Sequence, residues 1–299
     1  MNSLWGTRQG VFEPMGRAVS DSALQIRARP GLFLLIWLSL SIAPLLILAS
    51  LFLQPLKDAI AELMNLYNLI VSGSDPFALT DDFRRLFWRY VGIILLLSGL
   101  LLVTSTYAGS VLFSTVSRFR SRETPTYWGA LREGVSQYAG LFAAVMLCAL
   151  RMFLFYVAGS FLGSIIGLFL GDLMYIPMIV TSLSLFAGLQ RYGLSPFINL
   201  ATGVSGRNAI RVSKAFFLTE RPTVSGFFLA GFLIPTILLF SISSLVFRIN
   251  SVLGRYTAGL LLGLFQFTFT IVTINFAMNN FHRYRGGEEV RETTAIDAH

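Results

Sequence analysis

Residues 31–56, GLFLLIWLSLSIAPLLILASLFLQPL, contain no charged side chain, and about 20 apolar residues are enough to cross a bilayer as a helix. Five further windows contain no charged side chain except Arg151. They are 91–117, 134–171, 173–190, 222–247 and 256–281. Backbone amides in lipid must hydrogen bond within their own segment, and these windows lack the alternation of barrel strands. We therefore predict an all-α polytopic membrane protein with six transmembrane helices.

Short repeated steps pair these windows into hairpins. A Gly-(Leu/Phe)-Phe step opens every second window, and an Arg-aromatic step follows each pair; the openings are Gly31, Gly140 and Gly226, and the exits are Arg118, Arg191 and Arg283. The predicted hairpins cover about 32–113, 139–190 and 224–281 of a single membrane domain. A threefold internal repeat stays open, because the openings lie 109 and 86 residues apart and matches of three residues arise by chance.

The distribution of basic residues orients the hairpins. With the N-terminus inside, the segments 1–30, 118–133, 191–221 and 282–299 hold 16 of the 23 Lys and Arg residues. An excess of Lys and Arg in cytoplasmic loops is the usual determinant of topology. Both termini are therefore predicted to be cytoplasmic, and the net charge of +8 is explained without a nucleic-acid partner.

The segments between the spans carry helical patterns of their own. Residues 15–29, 126–137 and 206–219 read as short cytoplasmic amphipathic helices that precede the three hairpins. The outer segment 55–89 reads as an amphipathic loop, with its own helix over about 56–70 resting on the membrane surface or capping the bundle. A polar cytoplasmic tail, 282–299, ends the chain.

Two proline positions also carry expectations. Pro44 lies inside the first span and can kink it, because proline has no N–H to donate to the preceding turn. Ser195-Pro196 reads as a turn at the start of the linker that precedes the third hairpin.

Four glycines stand at intervals of four in the second half of the third span: Gly159, Gly163, Gly167 and Gly171. This spacing places them near one face of a helix and lets another helix approach closely. The pattern predicts tight helix packing, either against a neighbouring span, along a seam between copies of the chain, or beside a substrate or ion.

Arg151 is the one charged residue within the six predicted spans. It lies about 12 residues into the third span, roughly 18 Å by helical rise, near mid-depth of a roughly 30 Å core. An arginine there costs at least ~3 kcal/mol unless it is partnered. It can snorkel or bind backbone carbonyls, or it can bind an anionic ligand, a lipid phosphate or a carboxylate of another subunit.

The sixth span is polar for a membrane helix. Two of its amide side chains, Gln266 and Asn275, form our candidate ligand-binding set with Arg151. The alternative for the polar residues of this span is modest interhelical hydrogen bonding, which averages ~0.6 kcal/mol per group.

Residues typical of catalytic sites are missing from the spans. The only histidines are His282 and His299 in the tail, and the only cysteine is Cys148, so neither a histidine-based triad nor a thiolate metal site is predicted. We expect no catalytic residue, no metal and no cofactor.

The layout of six spans in three hairpins, each after a cytoplasmic amphipathic helix, resembles the membrane domain fused to some bacterial glycerophosphodiester phosphodiesterases and its stand-alone relatives. The clearest local match is the segment Asn208-Ala209-Ile210-Arg211-Val212-Ser213-Lys214 before the third hairpin. In those fusions the chemistry belongs to a soluble domain that this sequence lacks. The resemblance therefore implies an accessory membrane protein and transfers no catalytic residue.

These features predict an accessory or structural subunit of a membrane complex, embedded in the bacterial cytoplasmic (inner) membrane. Its expected partners are the lipid bilayer and other membrane subunits, or further copies of itself. The alternative is a transporter or permease subunit for a small or anionic substrate, with an ATPase as partner. A lipid-handling enzyme is the third hypothesis, and only the resemblance supports it.

Overall fold

The computed structural model describes residues 13–71, 80–170, 175–235, 237–238, 241 and 251–281. Within these ranges the chain is 94% helical and has no strand, which confirms the all-α prediction. Three described segments are long and apolar enough to cross a membrane: Pro30–Phe52, Arg84–Arg120 and Tyr127–Phe169. They coincide with the first three predicted spans; the count of six and the orientation remain predictions.

The helices follow one another with short breaks. In chain order they are α1 (Glu13–Ala28), α2 (Pro30–Trp37), α3 (Ala43–Val71), α4 (Thr80–Arg120), α5 (Tyr127–Leu170), α6 (Tyr175–Tyr192), α7 (Ser195–Thr202), α8 (Gly206–Thr219), α9 (Arg221–Phe228) and α10 (Ser251–Phe281). Two compact units contain them, one of residues 34–108 and one of residues 1–33 with 109–299. The interactions described below lie within one unit or the other.

Two π-helical turns, Leu38–Ile42 and Leu229–Leu233, each lie just before a proline. Pro44 and Pro235 have no N–H, and their rings clash with the carbonyl one turn earlier in a regular α-helix. A π turn inserts a residue and relieves that conflict. The irregularity near Pro44 is thus a π turn that ends two residues before it, and the kink itself stays a prediction.

The two segments with π turns match over a longer stretch. Four positions in the second segment each lie 191 residues after a counterpart in the first: Thr219 against Ala28 for the end of the amphipathic helix, Arg221 against Pro30 for the next helix, Leu229 against Leu38 for the π turn and Pro235 against Pro44. The glycines that suggested the repeat, Gly31 and Gly226, are 195 residues apart and therefore out of this register. Similarity between the segments that open the first and third predicted hairpins has structural support, but in a register shifted by four residues.

The amphipathic segments near two spans are not separate elements. α3 continues past residue 55 to Val71, and α4 runs from Thr80 through the predicted start of the second span. Likewise, the helix expected at 126–137 is the beginning of the 44-residue α5. The helix predicted over about 56–70 is therefore present as the continuation of α3 rather than as a separate element, and its place on the membrane surface stays a prediction.

The linker before the third hairpin contains a helix that the sequence pattern missed. Where a turn was expected at Ser195-Pro196, α7 begins, and proline suits the first turn of a helix because its missing N–H is not needed there. α7 packs against α5, α8 and α10 and is almost wholly buried. The helix predicted at 206–219 is present as α8.

The core of the larger unit gathers around the end of α10. Residues 271–278 are all buried, and Phe276 stacks on Phe227 of α9 at 4.3 Å between ring centroids. Phe216 of α8 meets the ring of Phe281 edge to face at 4.7 Å. By contrast, the middle of α5 exposes a run of large apolar side chains, as a lipid-facing surface does.

Candidate functional site

Three short amphipathic helical segments pack through the same kind of surface. We call them the interfacial helices: α1, the start of α5 (residues 127–138) and α8. Each buries two small residues four positions apart, which removes side chains from one face and lets another helix approach. The pairs are Ala18 and Ser22, Ala130 and Gly134, and Ala209 and Ser213.

The first interfacial helix, α1, is joined to α10 by amide hydrogen bonds. The amide nitrogen of Asn275 donates to Ser22 Oγ at 3.0 Å and to Gln25 Oε1 at 2.9 Å. Gln25 Nε2 donates in return to Asn275 Oδ1 at 3.2 Å. Asn275 is completely buried, so these bonds replace those that the amide makes with water in an unfolded chain.

One turn further along α10, a charged pair completes this contact. Asn279 Nδ2 donates to Asp21 Oδ2 at 3.1 Å, and Arg120 at the end of α4 donates to the same carboxylate oxygen at 3.4 Å. Arg120 also donates to Asn279 Oδ1. The last turns of α4 and α10 therefore meet the middle of α1 at Asp21.

The second interfacial helix, the start of α5, packs on α4. A Cβ added to Gly134 would lie 2.6 Å from Val111 Cγ2 and 3.2 Å from Val111 Cα, so only glycine fits without a shift. One residue earlier, Glu133 Oε2 accepts hydrogen bonds from Ser114 Oγ at 2.5 Å and from Arg118 Nε at 2.8 Å. Both members of the ion pair are about one-third exposed, so solvent weakens their attraction.

The third interfacial helix, α8, packs on the end of α6. Ser213 Oγ donates to the carbonyl oxygen of Arg191 at 2.8 Å. The guanidinium of Arg191 lies over the ring of Phe217 at 6.0 Å and over that of Phe155 at 5.8 Å. This geometry places the cation at the outer limit of a cation–π interaction.

The three contacts follow one rule. Each interfacial helix precedes a predicted hairpin. The second and third pack on the last helix of the preceding hairpin, and the first packs on the last helix of the third hairpin. The start of α5 packs on α4, α8 packs on α6, and α1, at the beginning of the chain, packs on α10 at its end. Three contacts of the same kind thus occur within the larger unit.

A shallow cavity of about 450 Å³ opens beside the second of these contacts. Its lining comprises Arg118 from α4 and the residues Gly129, Arg132, Glu133 and Ser136 from α5. Two cations face one carboxylate, so the cavity carries a net charge of +1. Within the described ranges no group of three His, Cys, Asp or Glu side chains could hold a metal ion. Chemically, this cavity can bind a negatively charged group.

The predicted ligand-binding residues lie in different surroundings. Asn275 belongs to the contact between α1 and α10, whereas the side chains of Arg151 and Gln266 are exposed on α5 and α10. No hydrogen bond joins any two of the three among the residues that the structure describes. A shared ligand site for them remains a prediction without geometric support.

Two of the four aligned glycines lie where α5 approaches α6. A Cβ on Gly159 would lie 2.6 Å from Ser184 Cβ, and one on Gly163 would lie 2.7 Å from Pro177 Cα. Hydrogen bonds flank this approach, from Ser184 Oγ to the Phe155 carbonyl at 2.7 Å and between Ser160 and Thr181 at 3.2 Å. At these positions the glycines face a neighbouring helix of the same chain.

The other two glycines add less. Gly167 is buried, and Gly171 lies outside the described residues. The four-residue seam as a whole therefore remains a prediction.

Sequence reasoning missed the cavity and the cluster of Ser114, Arg118 and Glu133. These residues are 15 to 19 positions apart and on two helices, so no local spacing marks them as neighbours. One signal was available: Glu133 and Asp21 each lie three residues after the buried alanine of an interfacial helix, Ala130 and Ala18.

Comparison with known protein families, with curated proteins and with solved structures finds no match to this chain. The resemblance to the membrane domain of glycerophosphodiester phosphodiesterases therefore stays a prediction.

Proposed function

We propose that this protein is an accessory subunit of a membrane complex in the bacterial cytoplasmic membrane, and that the surface around Arg151 docks a different membrane subunit. The observation that carries the proposal is an arginine exposed near the middle of the long apolar helix α5. Among the described residues it forms no ion pair or hydrogen bond.

The surroundings of Arg151 are apolar. Leu150, Phe153, Leu154 and Val157 are each about half exposed, at 56%, 58%, 52% and 46%. A charge in such a setting faces hydrocarbon unless something covers it, at a cost of ~3 kcal/mol or more. A carboxylate on a partner helix offsets this cost and selects that partner over other apolar helices.

The subunit that docks at Arg151 is a different chain rather than a second copy of this one. None of the six predicted spans contains an aspartate or a glutamate. A second copy of this chain therefore has no carboxylate to offer at that depth. The partner we infer is a membrane helix that carries Asp or Glu near mid-bilayer.

The transporter alternative has weaker support. A transporter of this kind would need polar residues of the sixth span to line a substrate path. The buried polar residues of α10, Thr273 and Asn275, instead hydrogen bond within α10 and to α1. Arg151 is exposed on α5 and hydrogen bonds to neither residue. An accessory role does not require these residues to share a polar lining.

Photo-crosslinking in native membranes tests the docking surface. A photoreactive residue at Leu154 is expected to give one heavier adduct with a protein whose cross-linked helix carries a mid-membrane carboxylate. Arg151→Leu should reduce that adduct at least tenfold, because an unpaired carboxylate then remains in lipid, whereas Arg151→Lys should retain most of it. The matched control is a photoreactive residue at Leu96, which is 55% exposed on α4 and should not give the same adduct.

A charge swap supplies the second arm. Arg151→Glu should lose the adduct, and exchange of the partner's carboxylate for arginine should restore it. An adduct that is unchanged in Arg151→Leu, or adducts with lipid or a second copy alone, would contradict the proposal.

A further inference from the structure

We propose that the cavity formed by Arg118, Gly129, Arg132, Glu133 and Ser136 binds the phosphodiester headgroup of an anionic phospholipid in the cytoplasmic leaflet. This cavity is separate from the surface around Arg151, and the proposal does not depend on a docked subunit. Four observations carry it: the charge of the lining, the open side of Arg118, the exposure of Arg132, and the aromatic side chains beside it.

The charges of the lining select an anion. Arg118 and Glu133 neutralise one another through the hydrogen bond from Nε to Oε2. Arg132 is then the uncompensated cation: it is exposed, and in the described part of the chain it has neither an ion pair nor a hydrogen bond. A phosphodiester carries a single negative charge, which matches the net charge of +1. A zwitterionic headgroup would leave that charge unbalanced.

Arg118 can take part without releasing Glu133. Its recorded hydrogen bond uses Nε alone, and a guanidinium carries five N–H donors. The terminal nitrogens therefore keep donors for a second oxyanion. Arginine is well suited to this double contact because its planar fork matches phosphate geometry.

Gly129 keeps this side of Arg118 open. A Cβ at residue 129 would lie 3.3 Å from a terminal nitrogen of Arg118 and 2.8 Å from Thr126 Oγ1. Any larger residue would occupy the space in which a headgroup oxygen can approach the guanidinium. The glycine is part of the shape of the cavity rather than a helix-packing residue.

Aromatic side chains beside the cavity indicate that it lies at the level of the lipid headgroups. Trp128 is 77% exposed, and its ring meets that of Tyr127 edge to face at 5.4 Å. Tryptophan and tyrosine are enriched at the level of lipid headgroups. Trp128, Arg132 and Ser136 follow one another at intervals of four and therefore share a face of α5. The residue with the free cation thus lies one turn from an interfacial anchor.

Native mass spectrometry of the full chain in detergent tests the proposal with defined lipids. Phosphatidylglycerol should bind with at least tenfold higher affinity than phosphatidylethanolamine of the same acyl chains. Arg132→Gln should remove most of that preference, a loss of about tenfold in affinity, since a charge-assisted hydrogen bond and its Coulomb attraction disappear. Arg132 is exposed, so this variant should fold normally.

Two further variants separate the site from general surface charge. Arg207→Gln removes an equally exposed arginine from α8 that does not line the cavity, and it should bind phosphatidylglycerol as the wild type does. Gly129→Val leaves every charge in place but fills the space beside Arg118, and it should weaken binding severalfold.

The outcomes are decisive in both directions. Equal binding of the two lipids, or equal losses in Arg132→Gln and Arg207→Gln, would overturn the proposal, since attraction would then be non-specific. Glycerol 3-phosphate serves as a soluble probe. If it binds as tightly as phosphatidylglycerol and requires Arg132, the ligand is a soluble phosphate ester and the assignment to lipid is wrong.

Discussion

Replacement of Gly163 by leucine is expected to separate α5 from α6 and to destabilise the protein by about 3 kcal/mol or more. The reason is that the nearest atoms to an added Cβ belong to the backbone: Pro177 Cα at 2.7 Å and the Pro177 carbonyl oxygen at 3.1 Å. A backbone inside a packed helix cannot rotate away as a flexible side chain can, so the two helices must move apart. Gly163→Ala should show a smaller loss of the same kind.

Cys148 is a natural probe for the separation of α5 from α6, so no reporter residue has to be introduced. It is the only cysteine, it is half-buried on α5, and its thiol donates to the carbonyl oxygen of Tyr192 on α6 at 3.3 Å. The rate at which a thiol-reactive dye labels Cys148 during heating therefore reports separation of the two helices. The midpoint of labelling should fall by several degrees in Gly163→Leu.

A second glycine gives the matched control. Gly99 lies in α4 with no atom within 4 Å of an added Cβ, so Gly99→Leu makes the same chemical change without a clash. Its labelling midpoint should stay within about a degree of the wild type. Equal midpoints for Gly163→Leu and the wild type would show that α5 and α6 do not approach one another at Gly163.

Replacement of Asn275 by leucine is expected to cost about 2–3 kcal/mol and to free α1 from α10. Leucine approximates the shape of asparagine but leaves Gln25 without its partner and removes the hydrogen bond that Ser22 Oγ accepts; Ser22 keeps only its bond to the Ala18 carbonyl. A buried polar group left unsatisfied costs about 1–3 kcal/mol, more than the net worth of the bond itself. Hydrogen exchange of the α1 amides should accelerate selectively, because the helix then opens without global unfolding.

A double-mutant cycle isolates this contact. Gln25→Leu alone should destabilise the protein, but in the Asn275→Leu background it should cost much less, because the two amides form one reciprocal pair. Thr268→Val serves as the control on α10, since Thr268 is exposed and its hydroxyl bonds only to the Leu264 carbonyl of its own helix. Additive losses for Gln25→Leu and Asn275→Leu would mean that the pair is not coupled.

The helices themselves could be predicted from local pattern. Long apolar runs predict α4 and α5, and the amphipathic spacing of residues 206–219 predicts α8. Both patterns can be recognised from sequence because they involve only residues that are close together in the chain. The break expected near residue 55 did not occur. Lys57, Asp58 and Glu62 end the apolar run, but a helix can continue from an apolar into a polar stretch because its backbone hydrogen bonds continue unchanged.

The candidate sites could be predicted only in part. Arg151 was found from sequence because a charge inside an apolar run is conspicuous by itself. The partners of Asn275 were not, because Ser22 and Gln25 are 253 and 250 residues away. The repeat was suggested by glycine steps, yet its register became visible only through the π turns at Leu38–Ile42 and Leu229–Leu233, whose cause is the proline after each.

The sequence by itself determined that this chain is an all-α protein with helices long and apolar enough to cross a membrane, since hydropathy and the demand for internal hydrogen bonds act along each segment separately. Only the tertiary structure decided which helices meet. It joined α1 to α10 and the start of α5 to α4, and so placed two arginines and a carboxylate around one cavity. The physical reason is that small buried residues permit many close approaches, and the packing of the whole chain selects among them.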